Sequence, residues 1–344
     1  MARPKLIQTL VMILPIGTVV LGVISFFFYF RGLETATATE NNQFAPMLRK
    51  DVDQADLERY VRTLSETLGP RSSQDIDVLN SSAAYIESTL GRMNMGYTVD
   101  RQSYEADGAA FHNLVAELPG KNKAKEIIVV GAHYDTFPTT PGADDNASGV
   151  AILLALAHSL TGTENQRTIR FVAFTNEEPP HYQTDTMGSR VYARSCVAKG
   201  EHIVAMLCLE SLGYFTDTPG SQTYPPQLSA ETAGYPTVGN FVAVVGNIHS
   251  KRLVDGFVDL FSTGTKLPIV GASLPPLVSW INASDHWSFW QEDIPAIMIT
   301  DTAPLRNPHY HKPTDLPDTL DFASMAEVAR GTEAALHRLA NPDQ

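Results

Sequence analysis

Hydrophobic and polar positions along this chain fall into three patterns. The first is continuous. Leu6 to Phe30 is 25 residues without a charge. As a helix rising about 1.5 Å per residue it reaches about 37 Å, enough for a bilayer core of about 30 Å. Arg3 and Lys5 precede it, so the positive-inside rule puts residues 1–5 in the cytoplasm and the rest outside. The expectation is a single-pass anchor over 6–30 and a polar linker over 31–46. Ala36-Thr37-Ala38 supplies a small-residue cleavage pattern, so a removed leader is the rival reading.

The second pattern has helical spacing. Asp51 to Leu68 sets Leu57, Val61 and Leu64 on one stripe and stops at Gly69-Pro70. Ile76 to Met93 is a second amphipathic segment. Ala147 to Leu160 is apolar nearly all round and too short to span a membrane, so it predicts a buried central helix. Gly188–Ala198, Leu253–Ser262 and Phe322–Leu339 complete the predicted helices.

The third pattern is strand-like. Tyr97–Tyr104 and His112–Leu118 alternate, while Ile127–Val130, Thr168–Thr175, Ile203–Leu209 and Ala296–Thr300 are short apolar runs. Phe215–Gly239 is rich in Pro, Gly, Ser and Thr and predicts no regular element. Strand–helix alternation after a helical lead-in predicts an α/β fold. Its central sheet is mixed and mostly parallel, with helices on both faces, within one domain over 47–344.

Composition changes this picture little. Apolar residues are 43% and charged residues 18% of 344, ordinary for a globular chain. The net charge of −13 and the lack of a basic run argue against a nucleic-acid partner. The sequence carries no signal for oligomeric state. Its two cysteines, Cys196 and Cys208, form no C-x-x-C, so a thiolate zinc site is excluded and two buried thiols are the ordinary reading.

The candidate chemistry sits at the strand ends. His133 and Asp135 follow the Ile127 strand, Asp144-Asp145 precede the central helix, and Glu177-Glu178 follow the Thr168 strand. Glu210 ends the Ile203 strand, and His311 lies in N-P-H-Y-H-K-P-T-D. Singly, each has an ordinary explanation as an N-cap, a solvated turn or a loop histidine. In a doubly wound sheet, however, the carboxyl ends of the strands face one edge. Imidazoles and carboxylates gathered there without thiolates suit catalytic zinc, or another divalent ion, with a position left for water.

The ordered set G-A-H-Y-D, G-A-D-D-N-A-S-G, T-N-E-E, L-E-S-L-G-Y, S-D-H-W-S-F and N-P-H-Y-H-K-P-T-D resembles the M28 family of zinc metallopeptidases over roughly residues 110–325. The resemblance implies a zinc-exopeptidase fold, two zinc ions and a peptide substrate. Carried over by motif, His133 and Glu210 bind one ion, Glu178 and His311 bind the other, and Asp145 bridges them. Glu177 is then the general base, and Asp135 orients His133. Asp285, Tyr310 and His309 are candidates for touching substrate or ordering the rim. Glu210 stands where Asp is frequent in the family, and Pro179-Pro180 follow the Glu pair.

The implied activity is that of a membrane-anchored aminopeptidase facing the periplasm or the exterior. Glutaminyl cyclases, glutamate carboxypeptidases and receptors that have lost the ligands are the rivals on the same fold. The five intact ligand positions favour two metals and count against both a one-zinc cyclase and a receptor. A glutamate carboxypeptidase needs arginines around the site, for which Arg190 and Arg306 are the candidates. One of three N-x-S sequons, Asn146, lies inside the metal motif. That favours a compartment without N-glycosylation, such as a bacterial periplasm.

Overall fold

The computed structural model describes residues 51–228 and 234–344. The predicted cytoplasmic residues 1–5, the anchor 6–30 and the linker 31–46 lie outside the described residues. No helix among the described residues is long and apolar enough to cross a membrane.

Helix α1, Gln54–Arg62, starts where the Asp53 carboxylate accepts the Ala55 N–H at 2.9 Å. A π-helical turn, Thr63–Leu68, carries it to Gly69, whose φ of +85° ends it. Helix α2, Ile76–Leu90, is capped by Asp75 and ends at Leu90, three residues before the expected Met93, with Gly91 at its C-cap. Strands β1 (Val99–Ala106) and β2 (Ala109–Leu118) then form an antiparallel hairpin.

The rest alternates. Strand β3 (Lys123–His133) leads to α3 (Gly149–Leu160), and β4 (Arg167–Phe174) leads to α4 (Gly188–Ala198). Strand β5 (His202–Glu210) is followed by β6 (Val242–Asn247), α5 (Lys251–Phe261) and β7 (Ile269–Leu274). Short α6 (His286–Trp290), β8 (Ala296–Thr300), short α7 (Ala303–Arg306) and long α8 (Phe322–Ala340) complete the order. One eight-stranded sheet results, ordered β1-β2-β4-β3-β5-β8-β6-β7. Its centre, β4-β3-β5-β8, is parallel, as is the β6–β7 pair; β6 runs antiparallel to β8. The mixed, mostly parallel sheet matches the expectation, whereas β6 and β7 were not foreseen.

Burial explains the layering. Successive residues of β3 go to opposite faces. Ile128, Val130 and Ala132 join one core with α1, α2, α3, α5 and α8. Ile127 and Val129 join a second core with Tyr192, Ala193 and Cys196 of α4 and with Phe289 of α6. Helix α3 has eleven of its twelve residues buried. Each of its fully buried Leu side chains contributes about 1.5–3 kcal/mol. The anchoring of α3 against β3 and β5 fixes the segment before it, and that segment carries Asp144 and Asp145. Both cysteines are buried free thiols, as read.

Candidate metal centre

Parallel register brings three strand ends together. His133 pairs with Phe174 across β3 and β4, and Gly131 pairs with Cys208 across β3 and β5. Residues just past Phe174 and Cys208 therefore meet His133. The Tyr134 N–H donates to the Phe174 carbonyl at 2.8 Å and prolongs the pairing by one step. The Asp135 carboxylate then accepts the N–H groups of Glu177 at 3.1 Å and Glu178 at 3.0 Å. Asp135 thus fixes the loop that carries the glutamate pair. Its link to His133 runs chiefly through its own carbonyl, 3.2 Å from Nδ1, with the carboxylate Oδ1 at 3.5 Å.

The segment before α3 departs from the simple N-cap that D-D-N-A-S-G suggests when taken alone. Ala143–Ser148 is a π-helical turn in which Asp145 (φ −107°, ψ 95°) and Asn146 (φ −131°, ψ 38°) leave helical geometry. The Asp315 carboxylate accepts the N–H groups of Asp144 at 2.9 Å and Asp145 at 3.2 Å. Asp144 accepts from Gly213 N–H and from Asn307 Nδ2. Asn146 is fully buried: its Nδ2 donates to the Leu209 carbonyl, and its Oδ1 accepts from Gly149 and Ser211. A Cβ on Gly149 would stand 2.5 Å from the Leu209 carbonyl and 2.3 Å from Asn146 Oδ1. Gly149→Ala should therefore cost on the order of 1–3 kcal/mol. Thermal unfolding should show a loss of several degrees, at about 2–4 °C per kcal/mol. An unchanged melting temperature would mean that this contact relaxes freely.

These supports aim five side chains at one place. His133 Nε2 lies 3.3 Å from Asp145 Oδ1 and 3.2 Å from Glu210 Oε2. His311 Nε2 lies 3.0 Å from Asp145 Oδ2 and 3.1 Å from Glu178 Oε1. Two donor groups result, His133–Asp145–Glu210 and Asp145–Glu178–His311, and Asp145 gives one oxygen to each. Glu177 belongs to neither. Ser284 Oγ donates to Glu210 Oε2 at 2.6 Å, and Ser211 Oγ donates to Oε1. His311 is stacked between Phe137 and Tyr310, with ring centroids 4.5 and 3.9 Å away.

The donors fit a divalent cation. His311 Nε2 and Glu178 Oε1 are buried and, despite their approach, make no aligned hydrogen bond. The set is imidazole and carboxylate, which zinc accepts. Without a cation the charges are held at a cost. Burial, then the neighbouring Asp145, pushes the Glu178 carboxyl up to about 7. Burial opposes charge on His311, but Asp145 and Glu178 overcome it and lift the imidazole to about 10. A cation between these groups would replace the protons they otherwise keep.

The structure places the remaining candidates unequally. Tyr310 lines a pocket beside Glu210. His309 makes no part of that lining; its Nδ1 lies 3.0 Å from Thr314 Oγ1. Asp285, a candidate for touching substrate or ordering the rim, is fully buried, and neither of its oxygens makes an aligned hydrogen bond. It precedes α6, a helix packed into the second core, and that packing carries it beneath the surface. Arg190 is engaged by Glu292 and the Ser288 carbonyl. Arg306 is held by Gln222 and the Phe241 carbonyl. The residues that sequence reasoning missed are Arg71, Asn307, Asp315 and Ser284. The last three lie inside motifs already singled out, but nothing in their spacing marks them as supports.

The pocket beside Glu210 encloses about 820 Å³, counting the part open to solvent. Its walls include Phe241, Val245, Val270, Met298 and Leu305, and Tyr224 and Trp280 also line it. Among the described residues, Glu210 is the one charged residue of the lining.

Comparison with known proteins now decides the family. The model of peptidase family M28 matches residues 113–255. Uncharacterized protein YfbL of Escherichia coli (strain K12) is 38% identical over 300 residues, covering 85% of this chain and 90% of YfbL. The chain belongs to peptidase family M28. A probable zinc metalloprotease of Pyrenophora tritici-repentis is 25% identical over 341 residues, covering 85% of this chain and 68% of that one. Membership makes the protein a zinc-dependent hydrolase of the aminopeptidase-like kind.

Among solved structures, the LapA aminopeptidase of Legionella pneumophila aligns with a TM-score of 0.67 at 20% identity, covering 84% of this chain and 72% of that chain. A glutaminyl cyclase of Porphyromonas gingivalis aligns at 0.64 and 20%, covering 84% and 100%. At such identities the likeness concerns the fold alone.

Proposed function

We propose that this M28 peptidase is a dizinc aminopeptidase that removes N-terminal residues with apolar side chains. The observation that carries the reading is Asp145, whose two oxygens each face a different histidine-carboxylate group. In this reading His133 and Glu210 hold one zinc, Glu178 and His311 hold the other, and Asp145 serves both. Zinc bound there supplies Lewis acidity and lowers the pKa of water toward neutrality. Glu177, buried beside both groups but in neither, takes the proton of the attacking water and passes it to the leaving amine. Asp135 holds Glu177 and Glu178 at successive N–H groups, so one can face metal while its neighbour faces substrate.

The pocket beside Glu210 receives the side chain of the residue released. Its apolar walls favour Leu, Phe or Met, and the engagement of Arg190 and Arg306 elsewhere argues against a terminal carboxylate. The uncharged run Leu6–Phe30 supports placing this domain outside a membrane, with residues 1–5 in the cytoplasm.

The test uses the full-length protein, loaded with zinc, on peptides with free or acetylated N-termini, read by mass spectrometry. Stepwise loss of N-terminal Leu or Phe from free peptides, at least about tenfold faster than loss of Asp, is the expected result. Residues lost from the C-terminus would make it a carboxypeptidase. Loss of ammonia alone from a peptide starting with Gln would make it a cyclase.

A further inference from the structure

We propose that Arg71 is a positioning residue for the metal centre: its guanidinium ties the strand end carrying His133 to the turn carrying Asp145, and so sets how these two members of the first donor group face each other. The proposal rests on the metal-binding reading above. Arg71 is fully buried and heads the largest of the fully buried side chains. All its side-chain hydrogen bonds go to backbone carbonyls. Nε donates to Tyr134 O at 2.8 Å. Nη1 donates to Pro141 O at 2.7 Å, Leu64 O at 3.0 Å and Gly69 O at 3.3 Å. Nη2 donates to Gly142 O at 2.8 Å.

The acceptors matter by position. Tyr134 stands between His133 and Asp135, and Pro141-Gly142 lead into Asp144-Asp145. One rigid fork therefore grips the backbones behind two of the three members of the first donor group, His133 and Asp145, and it anchors them to the turn that follows α1. The link is repeated at Thr136, whose hydroxyl accepts the Arg71 N–H at 3.0 Å. Gly142 shows how close the fit is. Its φ is +63°, and a Cβ there would lie 2.9 Å from Arg71 Nη2 and 2.4 Å from the Asp145 carbonyl. The charge is retained at neutral pH: burial lowers the guanidinium only to about 10, with Asp315, Asp135 and Asp145 opposing it. A buried cation thus stands behind an anionic cluster without occupying any ligand position.

The experiment compares wild type, Arg71→Lys, Arg71→Met and Gly142→Ala in the full chain. Zinc affinity is read by competition with a chromophoric chelator, alongside kcat, KM and thermal unfolding. Arg71→Met should weaken zinc binding at least about tenfold, the scale seen when supports behind ligands are removed, and lower kcat with KM nearly unchanged. Arg71→Lys keeps the charge but cannot span both backbones, so it should recover part of the affinity. Gly142→Ala keeps the charge and should weaken zinc too, but its Cβ meets Thr136 Cγ2 and the Asp145 carbonyl before Arg71, so it reports on the turn as a whole; Arg71→Lys carries the test if Arg71→Met does not fold. A lower melting temperature with zinc affinity and kcat at wild-type values would overturn the proposal and leave Arg71 a fold element only. Wild type that takes up no zinc would overturn the metal reading itself, a distinct result.

Discussion

Glu177→Gln should lower kcat by roughly 10³-fold, within the range general acid–base groups contribute, while zinc content and KM stay near wild type. The substitution keeps the shape of the side chain and removes its ability to carry a proton. Glu177 sits outside both donor groups, so metal uptake does not depend on its charge. Its environment suits a base. Burial raises its carboxyl well above the usual range; His133 opposes this, while Glu178, Glu210 and Asp285 add to it. Cations in the two groups would offset that push and leave a carboxylate able to accept a proton near neutral pH. Metal analysis and steady-state kinetics on one preparation decide the matter. Zinc lost together with activity would move Glu177 into the ligand set. Activity retained would place the base elsewhere.

The central sheet was legible because its strands are buried on both faces. Such strands read as short apolar runs, and β3, β4, β5 and β8 all do. The all-round apolarity of α3 announced its burial in the same way. Strand β7 gave a weak signal: its residues are half-buried or exposed, Gly271 interrupts it, and it lies at the sheet edge. Strand β6 follows the Pro/Gly-rich stretch directly, and its antiparallel pairing with β8 is a long-range choice that no local pattern encodes. The same holds for Asp145. D-D-N-A-S-G reads as a helix start, yet Asp315, 170 residues away, captures both aspartate N–H groups in a π turn and so turns Asp145 toward the histidines.

The side chains of the candidate centre were legible for a different reason. Strand ends of a doubly wound sheet share one edge, so His133, Glu177, Glu178 and Glu210 could be placed together without knowing their distances. Their division of labour was not visible in the spacing. It follows from which atoms face which, and those directions are set by groups with ordinary local signatures: the Ser284 hydroxyl, the Asn146 amide and the Arg71 fork.

Asp145→Asn should reduce bound zinc from about two equivalents to below about one, and kcat/KM by roughly 10³-fold or more. Asparagine preserves volume and one acceptor oxygen but removes the negative charge that both groups share. Neither His133–Glu210 nor Glu178–His311 then offers more than two strong donors, fewer than the three protein ligands usual for catalytic zinc. Single-group variants provide the contrast. Glu210→Ala leaves Asp145, Glu178 and His311 in place and should keep about one equivalent; His311→Ala leaves the other trio and should do the same. That unequal pattern is specific to a shared carboxylate, because two independent sites would each lose one ion with their own ligand. Mass-spectrometric metal analysis after dialysis reads it directly. Two equivalents retained by Asp145→Asn, at wild-type affinity, would remove the bridge and with it the reason for placing both ions against one substrate.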